Sequence, residues 1–151
     1  MKLTDFSTGT YVGCRPVGAS TDLLGDWVRD TGIPNPVVRH AAHMTLLYSK
    51  KPVKLPPERG RELHAKPLEL RIMRHRTDKT DALVLVLDSP AAQRRHQEFI
   101  NAGGMHDYDD FIPHVTLTYD VGDFDWKSLE LPKFGLIFAN EYVRPLKPTA
   151  D

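Results

Sequence analysis

Hydrophobic and polar positions alternate most clearly in two segments that share one pattern. Residues 43–48 and 114–119 both read His-x-Thr-Leu-x-Tyr. In an extended strand, successive side chains point to opposite faces. Each segment is therefore predicted to be a strand with polar residues on one face and apolar residues on the other. The polar faces then hold His43, Thr45, His114, Thr116 and Thr118.

The other residues of both segments are expected on the reverse face. Tyr48 and Tyr119 are therefore predicted to belong to the core. The apolar residues expected on the same faces are Met44, Leu46, Val115 and Leu117. Each strand then presents an imidazole beside a hydroxyl on a surface whose back is apolar. The same pairing of side chains occurs twice in one chain, which is a more specific signal than a single short motif.

Apolar patterns predict the remaining elements. Strands are expected at residues 10–17, 68–72, 83–87 and 135–143, and the unbroken apolar run at 83–87 is typical of a strand buried on both faces. One helix is expected to start at an N-cap formed by Ser20 or Thr21 and to stop at Gly32. A second helix is expected to start at Ser89, with Pro90 in its first turn, and to stop at residues 103–104.

The order of these elements is repeated. Residues of about 8–50 and about 80–122 each run through a strand, a capped helix, a glycine stop, a loop and a His-x-Thr strand. This repeat predicts one domain, residues 1–151, of the α+β class, built from a duplicated βαβ-type unit. We expect two lobes with two small antiparallel sheets that flank a central cleft, with the helices outside and the histidine faces turned toward the cleft.

Composition narrows the functional classes. The chain has 151 residues, a formal net charge of +0 and one cysteine, Cys14. A neutral chain is not typical of a protein that grips duplex nucleic acid, although a cleft can still be locally positive for a small anion. The single cysteine suits a reducing compartment, and no apolar run approaches the length of a membrane span. We expect a cytoplasmic protein with no membrane partner. The sequence does not indicate whether the protein is a monomer or an oligomer.

Two imidazoles and two hydroxyls facing a cleft suit phosphodiester chemistry. Breaking a phosphodiester needs a base for the nucleophile's proton and an acid for the leaving oxygen, and imidazole serves both tasks near neutral pH. Threonine hydroxyls can donate to the non-bridging oxygens of the phosphate. The sequence contains no Cys-x-x-Cys or His-Glu-x-x-His spacing, so we expect neither a metal nor another cofactor.

Single residues outside the motifs are given simpler interpretations. A lone histidine on a strand is usually structural, and the other five histidines are expected at the surface or in packing. Two loop aromatics, Tyr108 and Trp126, could stack on a base or cover the core. Arg39, Arg74 and Arg76 could screen phosphates or remain solvated. The five histidines are His40, His64, His75, His96 and His106.

Paired His-x-Thr motifs in two similar halves resemble the two-histidine (2H, LigT-like) phosphoesterase superfamily. That resemblance covers nearly the whole chain and implies that His43 and His114 are the acid–base pair. It also implies that Thr45 and Thr116 bind the phosphate. Within the superfamily, the start at residues 9–12 and the ending at residues 140–142 resemble the phage anti-CBASS nucleases. This closer resemblance implies that Tyr11 and Glu141 line the ligand site, with Glu141 accepting a hydrogen bond from a base such as adenine.

The resemblance implies a metal-independent phosphodiesterase that degrades cyclic di- and trinucleotide messengers of bacterial antiphage signalling. Two alternatives stay open. One is a 2′,3′-cyclic or 2′,5′-phosphodiesterase that acts on RNA ends or oligoadenylates. The other is a binding module that sequesters a nucleotide without cleaving it. The near-equivalent motifs do not indicate which histidine is the acid and which is the base.

Overall fold

The computed structural model describes residues 9–74, 79–106 and 110–146. Within these residues, six strands and two α-helices form an α+β fold, which confirms the predicted class. The strands belong to one antiparallel sheet that closes on itself. The elements are β1 (Thr10–Pro16), α1 (Ala19–Thr31), β2 (Met44–Ser49), β3 (Leu63–Met73), β4 (Ala82–Asp88), α2 (Pro90–Asn101), β5 (His114–Thr118) and β6 (Leu136–Pro145).

The closed sheet has two halves of three strands each. Its strand order is β1-β2-β5-β4-β3-β6, so β6-β1-β2 forms one half and β5-β4-β3 forms the other. The halves were expected as two separate small sheets, whereas the structure joins them at both edges. Met44 of β2 pairs with Val115 of β5, and residues 63–65 of β3 pair with residues 136–138 of β6. Each of these two strand pairings is short. The pattern of apolar residues along a single strand does not indicate which other strand it pairs with.

The core lies between the sheet and the helices. Leu24 of α1 and Phe99 of α2 pack in one cluster with Leu83, Leu85 and Leu87 of β4. Burial of such side chains supplies the main favourable term in folding. The two valines that alternate with these leucines, residues 84 and 86, are also buried but lie outside that cluster. The predicted burial of β4 on both faces is therefore confirmed.

The two helices begin differently. Ser89 caps α2, because its Oγ accepts a hydrogen bond from the Ala92 amide at 3.1 Å. The N-cap predicted for α1 is wrong, since that helix begins after Gly18 without a side-chain cap. Ser20 Oγ instead accepts from the Ile137 amide at 2.8 Å, and Thr21 Oγ1 donates to the Pro16 carbonyl at 3.0 Å. These hydroxyls serve the contact of α1 with its flanking strands.

Both helices end close to the predicted glycines. α1 stops at Gly32, whose φ of 78° is the left-handed conformation that glycine adopts at little cost. α2 ends at Asn101 and is followed by Gly103, which has a φ of 104°. None of the described helices is long and apolar enough to cross a membrane.

A buried ion pair ties α2 to β6. Glu141 is fully buried, and its two carboxylate oxygens each accept a hydrogen bond of 2.9 Å from the Arg95 guanidinium. The Glu58 amide also donates to Glu141 at 3.0 Å, and Glu98 accepts a third bond from Arg95 at 2.8 Å. Bidentate pairing with further hydrogen bonds is the geometry that compensates two buried charges for the loss of water.

Removing the carboxylate of Glu141 should destabilise the protein strongly. We expect Glu141→Ala to lower the free energy of unfolding by about 3 kcal/mol, because it leaves Arg95 buried without its main partner. Urea unfolding measures this change. The matched control is Glu130→Ala, since Glu130 and its partner Lys133 are both highly exposed and 3.9 Å apart. That control should be as stable as the wild type. Equal stability of both variants contradicts the assignment of Glu141 to the core.

Candidate functional site

The two His-x-Thr strands meet at the centre of the closed sheet. Met44 and Val115 are antiparallel partners, and both are fully buried. Residues next to them along the strands point to the opposite face. His43, Thr45, His114 and Thr116 therefore share that face, and all four are partly buried. Extending the antiparallel register by one residue each way sets His43 opposite Thr116 and Thr45 opposite His114.

The two histidines are held in the same way. His43 Nδ1 lies 3.0 Å from the Ala41 carbonyl, and His114 Nδ1 lies 2.8 Å from the Ile112 carbonyl. A carbonyl oxygen only accepts hydrogen bonds, so Nδ1 carries the proton in both rings. In the neutral ring the lone pair is therefore on Nε2. Each half thus presents an imidazole whose Nε2 can take up or release a proton.

The surroundings distinguish the two imidazoles. Burial lowers the pKa of His114, and the positive charges of His43 and Arg71 lower it further, against the hydrogen bond to Ile112. His114 is therefore favoured in its neutral form, which is the form that can accept a proton. The two halves of the site are chemically unequal although their motifs match.

Tyr11 lies beside the first histidine. Its hydroxyl is 2.9 Å from Thr45 Oγ1, and its ring centroid is 6.5 Å from that of His43. Burial raises the pKa of the Tyr11 hydroxyl, which therefore stays protonated at neutral pH. The Tyr142 ring lies next to that of Tyr11, with 6.0 Å between their centroids, so the two tyrosines and Thr45 form one group.

Tyr142 is a site residue that the sequence analysis missed. Gly13 pairs with Thr45 on one side and with Tyr142 on the other, so these three residues form one row on the histidine face. A Cβ at Gly13 would lie 2.6 Å from the Tyr142 hydroxyl oxygen and 3.0 Å from a Tyr11 ring carbon. The missing side chain at Gly13 leaves space for the tyrosine to cross β1 toward Thr45. No sequence signal identifies Tyr142, because its face follows from the burial of Glu141, which only the structure shows.

Glu141 does not join this site. The closer family resemblance implied a contact with a nucleobase, but the Glu141 carboxylate is fully buried and bonded to Arg95 of α2. Neighbouring residues of a strand point to opposite faces, so Tyr142 faces the histidines and Glu141 faces the helix. The predicted ligand contact of Glu141 is corrected to a structural role in this structure.

A β-bulge in each motif strand corrects the predicted faces of three further residues. Val12 pairs with Leu47 and Gly13 with Thr45, which leaves Leu46 as the extra residue of β2. Beyond a bulge the alternation is shifted by one position. Tyr48 consequently lies on the same side as Tyr11, with 6.2 Å between their ring centroids.

The second motif carries its bulge at the equivalent leucine. Leu83 pairs with Thr118 and Val84 with Thr116, so Leu117 is the extra residue of β5. Thr118 is therefore buried on the core side, where its hydroxyl donates to the Asn35 carbonyl, instead of facing the histidines. Tyr119 is 55% exposed instead of being part of the core.

Most of the other candidates have structural partners. Arg39 pairs with Asp22 and Asp26, and Arg74 pairs with Asp81. Trp126 packs against the core, and the buried His96 packs against a phenylalanine ring. The predictions for Tyr108, His75 and Arg76 fall outside the described residues. Within the described ranges, no group of three or more His, Cys, Asp or Glu residues could hold a metal ion.

Comparison with known proteins identifies relatives over nearly the whole chain. The family model described as anti-CBASS protein Acb1 matches residues 8–151. The anti-CBASS protein Acb1 of Enterobacteria phage T4 is 36% identical over 148 residues, which cover 97% of this chain and 94% of that protein. The Acb1 protein of Vibrio phage KVP40 is 36% identical over 151 residues, with the same coverage.

Solved structures show the fold. The crystal structure of E. coli LigT in complex with 3′-AMP aligns with a TM-score of 0.52 and 13% sequence identity. The alignment covers 93% of this chain and 96% of LigT. The LigT-like architecture expected from the paired motifs is therefore confirmed.

The row formed by Thr45, Gly13 and Tyr142 can be tested by filling the space at Gly13. In Gly13→Ala the added methyl group should displace the Tyr142 hydroxyl and with it Tyr11, because the contact of 2.6 Å is too short. We expect stability to fall only modestly, since the far end of a side chain can move, while phosphoesterase turnover drops by on the order of tenfold or more. Gly60→Ala is the control, since a Cβ there meets nothing within 4 Å. Unchanged turnover in Gly13→Ala would refute a role for this row.

Proposed function

The chain belongs to the anti-CBASS protein Acb1 family, and on that basis we propose that it degrades cyclic oligonucleotide messengers of bacterial antiphage signalling. It would then be a phosphodiesterase that serves phage counter-defence. The observation that carries the proposal is the matched pair of histidines, each with Nδ1 on a carbonyl two residues earlier and each opposite a threonine. The LigT-like fold supports phosphoester chemistry at this place.

The four motif side chains suit cleavage without a metal. A phosphate bound at the strand junction can accept hydrogen bonds from Thr45 and Thr116, which stabilise the charge that develops on its non-bridging oxygens. Burial lowers the pKa of His114 below its usual value and so favours the neutral ring, which can act as the base that removes the proton from a ribose 2′-OH. The 2′-oxygen then forms a bond to phosphorus while the bond from phosphorus to the 5′-oxygen breaks. His43 donates its proton to the departing 5′-oxygen.

This sequence of events gives a linear product that ends in a 2′,3′-cyclic phosphate. Water can open that ring with the two histidines in exchanged roles. Attack by the 2′-OH is favoured because this group is already tethered beside phosphorus. Oriented intramolecular attack can be worth an effective molarity of about 10⁵ M. The Tyr11 hydroxyl orients Thr45 for its contact with the phosphate.

Substrate profiling with matched analogues tests this function. Purified protein treated with EDTA should convert ribose cyclic dinucleotides to linear products that mass spectrometry detects. An analogue with 2′-deoxyribose at the scissile position should bind but stay intact, because the nucleophile is missing. Cleavage of the deoxy analogue at a comparable rate would make water the nucleophile and contradict the proposed step. Conversion of RNA-end or 2′,5′-linked substrates alone would favour the other phosphodiesterase activity, and recovery of intact ligand would favour sequestration.

Substitution of the histidines tests their roles. His43→Ala and His114→Ala should each lower turnover by at least ~100-fold, and the double variant should lose far less than the product of both effects. Since a base acts in its neutral form, the lowered pKa of His114 should place the acid limb of the profile of kcat/KM against pH below about 6.5. His64→Ala is the control, because the His64 side chain is 71% exposed. Near-wild-type turnover in either single variant would contradict the assignment.

A further inference from the structure

Arg71 lies on the histidine face, two strands away from Thr116. Thr116 pairs with Val84, and Val84 pairs with Arg71, so the three residues form a row across β5, β4 and β3. The leucines that alternate with Val84 belong to the helix-side core, which confirms that this row faces the other way. Neighbouring strands are about 4.8 Å apart, so the backbones at Thr116 and Arg71 are roughly 10 Å apart.

The guanidinium of Arg71 retains donors for a ligand. Its Nε and Nη2 both bond to Oε1 of Glu69, two residues earlier on the same face. Among the residues that the structure describes, none bonds to Nη1 of Arg71, and the side chain is 43% exposed. Glu69 therefore fixes the orientation of the guanidinium, while a planar fork of donors remains for an anion.

A pocket lies between Arg71 and the loop that leads into the second histidine strand. The pocket has a volume of about 600 Å³ and is lined by Arg71, by Val86, which pairs with His114, and by the loop residues Ile112 and Pro113 that lead into β5. Asp88, Gln93 and Arg94 also belong to its lining. The charge of Arg71 also acts on the His114 ring. One cation therefore lies near the site without occupying the position of the phosphate bound by the two threonines.

We propose that Arg71 and this pocket bind the second, uncleaved phosphate of a cyclic oligonucleotide. The inference rests on the proposed function and specifies how the site selects its substrate. A cyclic dinucleotide holds its second phosphodiester at a fixed distance from the first, whereas an RNA end with a 2′,3′-cyclic phosphate offers no second phosphate in that ring. Arg71 therefore favours ligands with two phosphates.

The opposite half of the site has a different chemistry. The row that corresponds to Thr116, Val84 and Arg71 is Thr45, Gly13 and Tyr142, so a tyrosine stands where the second half has an arginine. Arg15 and Arg144 lie over the Tyr142 ring, with centroid distances of 4.8 Å and 5.7 Å. The Glu69 carboxylate fixes the orientation of the Arg71 guanidinium on the histidine face, whereas Arg15 and Arg144 rest on a ring face. We therefore assign the second phosphate to the Arg71 side.

Binding measurements with two uncleavable probes test the inference. The first is a cyclic dinucleotide with two deoxyadenosines and two phosphodiesters, and the second is the linear dinucleotide with the same bases and one phosphodiester. Arg71→Gln should weaken binding of the cyclic probe by about tenfold, the usual scale for a hydrogen bond to a charged group, and that of the linear probe by less than about twofold. Calorimetric titration of the full chain gives both constants.

Three comparisons decide the outcome. Arg74→Gln is the control, since this arginine pairs with Asp81 just beyond the end of β3, and it should bind both probes as the wild type does. Equal weakening of both probes by Arg71→Gln, or none, overturns the inference. The inference is also overturned if Arg144→Gln weakens binding of the cyclic probe and Arg71→Gln does not. If the wild type binds the cyclic probe but does not cleave its ribose counterpart, the proposed catalysis is contradicted. The titrations still decide whether Arg71→Gln weakens binding of the cyclic probe more than that of the linear probe.

Discussion

The site depends on the pairing of Met44 with Val115. This one antiparallel pair joins the two halves of the sheet at the point where both motif strands begin. It is fixed from behind, because both side chains are fully buried in the core. A shift of one residue in this register would exchange the polar and apolar faces of a whole strand. Packing of the core therefore sets the positions of both motif histidines and both motif threonines.

The sequence predicted this central part of the site well. Over three residues, from histidine to threonine, alternation holds in both motifs, and the repeat indicated that the two faces would meet. Past the threonine the same argument failed for Tyr48, Thr118 and Tyr119. The bulges at Leu46 and Leu117 shift the alternation there. A bulge leaves no clear mark in a sequence of apolar residues, since both leucines suit either face.

Glu141 shows another limit of sequence reasoning. The resemblance of residues 140–142 to the anti-CBASS nucleases implied a ligand contact, but a carboxylate gives no indication of which face of a strand it occupies. The partner that decides the matter, Arg95, lies on α2 and is 2% exposed. Buried arginine is rare unless it is paired, so Arg95 on the apolar side of a helix was the available sign. Tyr142, the neighbour of Glu141, gained its place on the histidine face by the same alternation.

The bulges also bind the two halves to each other. The Leu46 carbonyl, in the first half, accepts a hydrogen bond of 2.7 Å from His96 on the helix of the second half. The Leu117 carbonyl, in the second half, accepts one of 2.9 Å from the Val37 amide in the loop of the first half. Each sequence repeat thus provides a hydrogen-bond donor for the bulge carbonyl of the other repeat, which has no partner strand at that position. A half-length chain would leave its bulge carbonyl to water or to another molecule, so we expect the two repeats to fold as one cooperative unit.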